Sequence, residues 1–278
     1  MINFNGEIQP DAALAPDNRA FLYGDGVFET VRIAGGKILF LEDHYFRLMA
    51  AMRVVRMEIP MSFTMEYFES QVLSLAQAEN CLDAARARIT VYRNAGGFYL
   101  PQSRNVSFLI SVLPLGSRKY EAQRRPYEIE LYKEFYVTAQ LLSTIKTTNR
   151  MVNITGSIFA DENGYDNCLL LNEAKNVVEA LSGNIFMLSG NKLITPPLTD
   201  GCLNGIMRKQ ILALASKMDN IEVSQKTISP FDLQKADELF ITNVIVGIQP
   251  VTKYRKKEYS DDFASSLLVL LNELVEGN

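Results

Sequence analysis

The sequence predicts two α+β domains, and three observations carry that prediction. Strand-like runs and helix-striped segments mix along the chain without strict strand–helix–strand alternation, which argues against a doubly wound parallel sheet. A polar, basic stretch at residues 116–125, GSRKYEAQRR, breaks the pattern near the middle and reads as an interdomain linker. With 278 residues, the chain is long enough for each part to bury a core of its own. The expected domains are 1–115 and 126–278.

The first domain opens with a loop rich in Pro, Asp and Asn, QPDAALAPDNRA. Two strand-like runs, VFETVRIAGG and KILFLEDH, flank Gly35-Gly36 and read as a hairpin. From Glu42 to Val55 the apolar residues Phe46, Met49, Ala50 and Val54 recur at helical spacing. SFTMEYFESQVLSLAQAEN is helical by the same test, and the strands ARITVYR and VSFLISVLPL follow, joined by NAGGFYLPQSRN. In the second domain YEIELYK, CLLLNE, NIFMLSGNKLITPP and DELFITNVI read as strands, the third being a hairpin around Gly190. Its helices are TTNRMVNITGSIFADENG, NGIMRKQILALASKM and the C-terminal FASSLLVLLNELVE.

Composition narrows the chemistry. Lys and Arg number 28 against 32 Asp and Glu, so a basic face for nucleic acid is not expected. No apolar run approaches a bilayer span, and the N-terminus has neither the basic start nor the apolar stretch of a signal peptide. Three widely spaced cysteines (Cys81, Cys168, Cys202) suggest a reduced, cytoplasmic protein. The single histidine, His44, is the only one available to a triad, a Cys-His dyad or a zinc site, and no metal motif surrounds it. Proton transfer must then come from Lys, Tyr or a carboxylate, or the chemistry must be borrowed from a cofactor.

Four features can carry such chemistry, each with an ordinary alternative. Lys146 ends a strand-like run in STIKTTNR; it is a surface lysine or an amine available to a carbonyl. Glu179, between apolar residues in VVEALSGN, is a solvated loop acid or a buried carboxylate with a cationic partner. The loop TPPLTDGCLNG runs into a helix whose N-terminus suits a phosphate, a weak signal by itself. Arg47, beside aromatics in HYFRL, is a solvated or salt-bridged helix residue, or an anion holder.

In this order FLYGDGVFET, LEDHYFRL, IKTTN, VVEALSGNIF, ITPPLTDGCLNGIMR and ITNVIVGIQPV resemble the signature blocks of the class IV, or fold-type IV, pyridoxal-phosphate enzymes. That family includes branched-chain aminotransferases, D-amino-acid aminotransferases and aminodeoxychorismate lyases. The resemblance runs from about residue 20 to 252 and implies a two-domain D-amino-acid-aminotransferase-like fold with the cofactor between domains. It implies that Lys146 joins the cofactor covalently and shuttles a proton. Glu179 would pair with the pyridine nitrogen. Arg47 would hold the phosphate, with Gly205, Ile206, Met207 and Asn243 completing its cup. It further implies a homodimer. Two departures stand out: GIMR replaces the common GITR, so Met207 brings no hydroxyl, and position 139 is alanine, leaving Arg150 to serve the phenolic oxygen.

Within the family FET, KTTNR, RNAGGFYLP and TNVIVGIQPV resemble the lyases, whereas branched-chain aminotransferases usually read FEG. The resemblance therefore favours conversion of 4-amino-4-deoxychorismate to 4-aminobenzoate and pyruvate, a step of folate synthesis. A class IV aminotransferase on branched-chain or D-amino acids is the alternative. Thr30 would assist the leaving group or orient substrate, or else pack as a strand residue. Phe28, Tyr92, Arg93 and Tyr99 complete the substrate-site candidates, since a dianionic substrate needs cationic or hydroxyl partners.

Overall fold

The computed structural model describes residues 1–121 and 125–277. Residues 122–124, in the expected linker, lie outside the described residues. The chain divides into two units, Met1–Lys119 with Ile145–Asn149, and Tyr120–Thr144 with Arg150–Asn278. The break after Lys119 falls inside the 116–125 stretch. One assignment is corrected: Lys146, expected in the C-terminal domain, belongs to the first unit.

The first unit contains β1 (Ile2–Phe4), β2 (Glu7–Gln9), α1 (Arg19–Tyr23), β3 (Gly26–Ala34), β4 (Lys37–Ile38), α2 (Leu41–Val54), α3 (Met65–Ala78), β5 (Ala84–Arg93) and β6 (Val106–Pro114). Its strands form one sheet in the order β2-β1-β6-β5-β3-β4, with antiparallel neighbours throughout. Alternation along each strand decides the faces. Val27, Val31, Ala85, Ala87, Ile89, Val91, Phe108 and Ile110 share a core with Leu48 and Met52 of α2 and Phe68 and Val72 of α3. Phe28, Thr30, Arg86 and Arg88 therefore lie on the opposite face.

Two local expectations shift. The hairpin turns at Gly35 and Gly36, both with positive φ that glycine adopts without steric cost. Its second strand ends at Ile38, because Phe40 takes a left-handed φ of 56° and turns the chain straight into α2. The buried stripe of α2 is His44, Leu48, Met49, Ala51 and Met52, while Phe46 is 61% exposed. Counting apolar residues alone thus misplaced that helix by part of a turn.

The second unit contains β7 (Glu128–Val137), α4 (Met151–Glu162), β8 (Asn167–Asn172), β9 (Val177–Ala180), β10 (Asn184–Ser189), β11 (Lys192–Thr195), α5 (Ile206–Ala215), β12 (Glu222–Gln225), α6 (Pro230–Leu233), β13 (Glu238–Asn243), β14 (Gly247–Val251), β15 (Lys253–Tyr254), β16 (Lys257–Glu258) and α7 (Asp262–Glu276). They build two five-stranded sheets, β12-β11-β10-β13-β14 and β16-β15-β7-β8-β9. Between them lies a core of Ile129, Leu131, Leu169, Val177, Ile185, Leu239, Ile241 and Val251. Residues 147–150, read as the start of a helix, precede α4; Thr147 instead bridges to Val27.

Candidate active site

The segment that carries the lysine is stitched to the start of β3 in the first unit. Phe28 N–H donates to the Lys146 carbonyl at 2.8 Å, and Thr148 N–H donates to the Gly26 carbonyl at 2.9 Å. Thr148 Oγ1 reaches the Gly24 carbonyl at 2.7 Å. A Cβ on Gly26 would meet Thr148 Cγ2 at 3.1 Å and the Val91 carbonyl at 3.2 Å, so the bare glycine keeps this approach close. Lys146 is half-buried, with Nζ 4.7 Å from the centre of the Phe28 ring. The Arg88 guanidinium lies 3.8 Å from the same ring, and Arg88 is the cross-strand partner of Thr30. Phe28, Thr30 and Lys146 are thus brought together, and Arg88 joins them unforeseen. Its signal was the alternation of ARARITVYR, which sets Arg86 and Arg88 on the face of Phe28.

On the helix-packed face a second cluster forms. Glu29, 1% exposed, accepts from Arg47 Nε at 2.6 Å and Arg47 Nη2 at 2.8 Å, and its Oε2 lies 2.9 Å from His44 Nδ1. Burial alone would raise the Glu29 pKa, but the Arg47 charge and the His44 hydrogen bond outweigh it and hold the carboxyl down to about 2. Burial pushes the His44 pKa below its ordinary value despite the Glu29 bond. The ring is therefore neutral at pH 7, with the proton on Nδ1 facing Glu29. Glu29 was missed, although a period of two puts an acid on the core face between Val27 and Val31.

The remaining substrate-site candidates have other surroundings. Arg93 donates from Nε to Asp25, from Nη1 to the Arg56 carbonyl and from Nη2 to the Val55 carbonyl. It is a buried tie between β5 and the end of α2, which corrects its expected place in the pocket. Arg19 shares the same Asp25 oxygen and collects the carbonyls of Gly96, Gly97 and Phe98. This clasp holds the base of a loop on which Tyr99 is 91% exposed, its ring 5.8 Å from that of Tyr23. Tyr92 is buried, and that burial raises its hydroxyl pKa.

In the second unit Glu179, on β9, is 7% exposed, and its Oε2 accepts the Leu203 N–H at 2.8 Å. The Leu203 carbonyl accepts from Asn184 Nδ2 at 2.9 Å, so one residue of the Pro- and Gly-rich loop is held at both polar ends. A Cβ on Gly205 would lie 1.9 Å from Asn184 Oδ1. Gly205 caps α5 without a side-chain bond, and the first-turn N–H groups of a helix have no intrahelical acceptors. The Ile206 and Met207 side chains are buried, so each can offer a ligand only its backbone N–H. Replacing threonine by methionine at 207 trades a hydroxyl for core packing. Arg208 turns away to the Pro196 carbonyl and Gln225, tying the loop to β12. Asn243 accepts the N–H groups of Ile245 and Val246 and donates to the Ser182 carbonyl, so it shapes the β13–β14 turn. Arg150 stands at the N-cap of α4 without a side-chain capping bond.

The first unit supplies an amine and an arginine, and the second, taken by itself, a buried carboxylate and a helix N-terminus. As residue types these fit the parts of a phosphate-bearing pyridine aldehyde: an arginine or a helix end suits a phosphate dianion, and a carboxylate suits a protonated ring nitrogen.

Residues 26–254 match the amino-transferase class IV family model. A protein of Methanocaldococcus jannaschii assigned as a branched-chain-amino-acid aminotransferase is 30% identical over 90% of this chain and 86% of its own. The aminodeoxychorismate lyase of Vibrio harveyi is 26% identical over 91% of this chain and 92% of its own. Among solved structures, the branched-chain aminotransferase of Thermoproteus uzoniensis with norvaline superposes with a TM-score of 0.90 at 24% identity. That match covers 99% of this chain and 94% of the other.

Proposed function

The chain belongs to the class IV aminotransferase family of pyridoxal-phosphate enzymes, and we propose that within it the protein cleaves 4-amino-4-deoxychorismate to 4-aminobenzoate and pyruvate. The observation that carries this reading is the face of the first-unit sheet beside Lys146. Thr30, 8% exposed, fills the position after Phe-Glu and pairs across the strands with Arg88, whose guanidinium shares the Phe28 ring with the lysine. A hydroxyl and a guanidinium beside the amine suit a substrate with two carboxylates and a leaving enolpyruvate better than an aliphatic side chain.

Bound pyridoxal phosphate supplies an electron sink for the pair left at the substrate carbon. Arg47 and the N–H groups at the start of α5 would hold its phosphate, and Glu179 its ring nitrogen. Lys146 would be its covalent attachment, and the Lys146 amine removes the proton from the amine-bearing carbon of the substrate. Loss of enolpyruvate leaves an aromatic ring, and protonation of the enol gives pyruvate. Thr30 orients the departing group, and Arg88 holds a substrate carboxylate. The net reaction breaks one C–O bond and needs no oxidant.

Similarity to the M. jannaschii protein favours a second reading, transamination of branched-chain amino acids by the same lysine. Purified enzyme loaded with cofactor and mixed with aminodeoxychorismate should release 4-aminobenzoate and pyruvate, and the cofactor absorbance should return unaided. Bleaching by an amino acid that only a 2-oxo acid reverses, with no product from aminodeoxychorismate, would replace the lyase reading with the aminotransferase one. In Lys146→Ala both reactions and the lysine-dependent absorption band should vanish.

The proposal includes a homodimer, supported by exposed apolar side chains at Phe98, Tyr99 and Leu100 and along α4 at Met151, Ile154 and Ile158. Sedimentation equilibrium tests it. A cytoplasmic setting is consistent with three buried free cysteines. Among the described residues, no helix is long and apolar enough to cross a membrane.

A further inference from the structure

We infer that Glu29 and His44 are positioning residues for Arg47, setting the angle at which its guanidinium meets the cofactor phosphate. This rests on the reading that Arg47 holds that phosphate.

Glu29 is on the helix-packed side of β3, among side chains that are otherwise apolar. Arg47 and His44 sit three residues apart on α2, which puts both on one helix face over the same carboxylate. The Arg47 fork uses Nε and Nη2, one on each Glu29 oxygen, at 2.6 and 2.8 Å. A guanidinium is planar and rigid, so fixing that edge fixes the plane of the whole group. His44 Nδ1 and the Thr30 N–H, at 2.9 and 3.2 Å, both reach Oε2 and stop the carboxylate from rotating with the arginine. The carboxylate is thus held from the side by two donors that are not the arginine.

A buried ion pair contributes little net stability over an apolar pair of similar volume, because desolvation offsets the attraction. Stability alone is therefore a poor account of two buried polar side chains, Glu29 and His44, and a largely covered arginine in this core. The Lys146 charge adds a small contribution to burial in holding the His44 pKa down. Charge is balanced within it, since ionised Glu29 cancels Arg47 and His44 is neutral. What Glu29 adds for an anion is orientation, not positive field. On electrostatics alone, removing its charge would strengthen phosphate binding, so the sign of the effect separates the two accounts.

The test is titration of the apoenzyme, followed by absorbance and protein fluorescence, with pyridoxal phosphate, with pyridoxal, and with inorganic phosphate as competitor. Glu29→Gln should weaken pyridoxal phosphate binding about tenfold or more and leave pyridoxal within about twofold, as expected for lost charge-assisted bonds. His44→Leu should shift binding in the same direction by less. His44→Asn should restore it, because its amide offers an N–H near the position of Nδ1. If Glu29→Gln does not fold, Glu29→Asp, which keeps the charge but withdraws it by one methylene, should give an intermediate loss. Equal losses for both ligands, unchanged binding or tighter binding in these variants would overturn the proposal. Arg47→Gln separates the two levels. If it keeps the preference for the phosphorylated ligand, the phosphate role of Arg47 falls and the proposal with it. If it removes that preference and the Glu29 variants do not, only the positioning role falls.

Discussion

Replacing Gly205 by alanine sets a methyl carbon 1.9 Å from Asn184 Oδ1 and 3.1 Å from Asn184 Cγ. The backbone there, φ −72° and ψ 137°, suits alanine, so the obstacle is steric alone. Asn184 is 3% exposed, and turning its amide breaks the bond from Nδ2 to the Leu203 carbonyl. Leaving such a buried group unsatisfied costs about 1–3 kcal/mol, while the stiffer unfolded chain returns about 0.4–1 kcal/mol. The expected net loss is about 1–2 kcal/mol, a fall in Tm of roughly 2–8 °C. Because the Leu203 N–H also holds Glu179, pyridoxal phosphate should bind more weakly to the variant as well. Calorimetry of Gly205→Ala, Asn184→Ala and the double variant checks the cause. With Asn184 shortened, the methyl has room and the second change should cost close to nothing. Gly205→Ala as stable as the parent, or equally costly in both backgrounds, would refute the steric argument.

Glu238 stands in for a missing cap on α7: its two oxygens accept the N–H groups of Phe263 and Ala264 at 2.8 and 3.0 Å, while Asp261 makes no side-chain cap. Glu238→Ala should cost about 1–3 kcal/mol by thermal denaturation and leave the cofactor absorption unchanged. Arg93→Lys should lower Tm with little change in KM, since it loses the bonds to Val55, Arg56 and Asp25; a KM effect alone would return Arg93 to the substrate. Arg88→Gln should do the reverse, raising KM for a dicarboxylate about tenfold or more at nearly constant Tm. Acid titration of stability should show two losses of the same sign. His44 binds its proton more readily when unfolded, so stability falls as pH drops below about 6.5. Glu29, with a folded pKa of about 2 against an ordinary value of 4.5, contributes stability that is complete above pH 4.5 and lost on the way down to 2. In Glu29→Gln the lower of these losses should disappear.

The strands and most helices were legible because each is dictated by residues close in sequence. The alternation in VFETVRIA and the stripe in FASSLLVLLNELVE are examples, found as β3 and α7. α2 was found but its buried face was misjudged, since His44 is buried by virtue of Glu29, fifteen residues away on another element. The hairpin of β1 and β2 and the short helix α1 were not foreseen; α1 is five residues closed by Asn18 and a left-handed Gly24, too short for periodicity to register. Lys146 and Glu179 could be picked out through ordered motif blocks. Their partners could not, because the Phe28 ring meets both Lys146 and Arg88 only after three separate segments come together.

By itself, the sequence determined the repertoire: a chain with one histidine, an amine and an acid in recognisable blocks, and two regions of mixed helix and strand. It also determined which faces could be buried, since side-chain periods of two and 3.6 residues follow from backbone geometry alone. Tertiary structure decided the employment of each charged group. It gave Arg93 to a buried tie and Arg47 to Glu29, set Arg88 on the ring beside Lys146, and assigned residues 145–149 to the first unit. The physical reason is that a charge is stabilised by whatever lies within a few ångströms of it and by how dry that place is. Both are properties of segments distant in the chain, which local propensity does not encode.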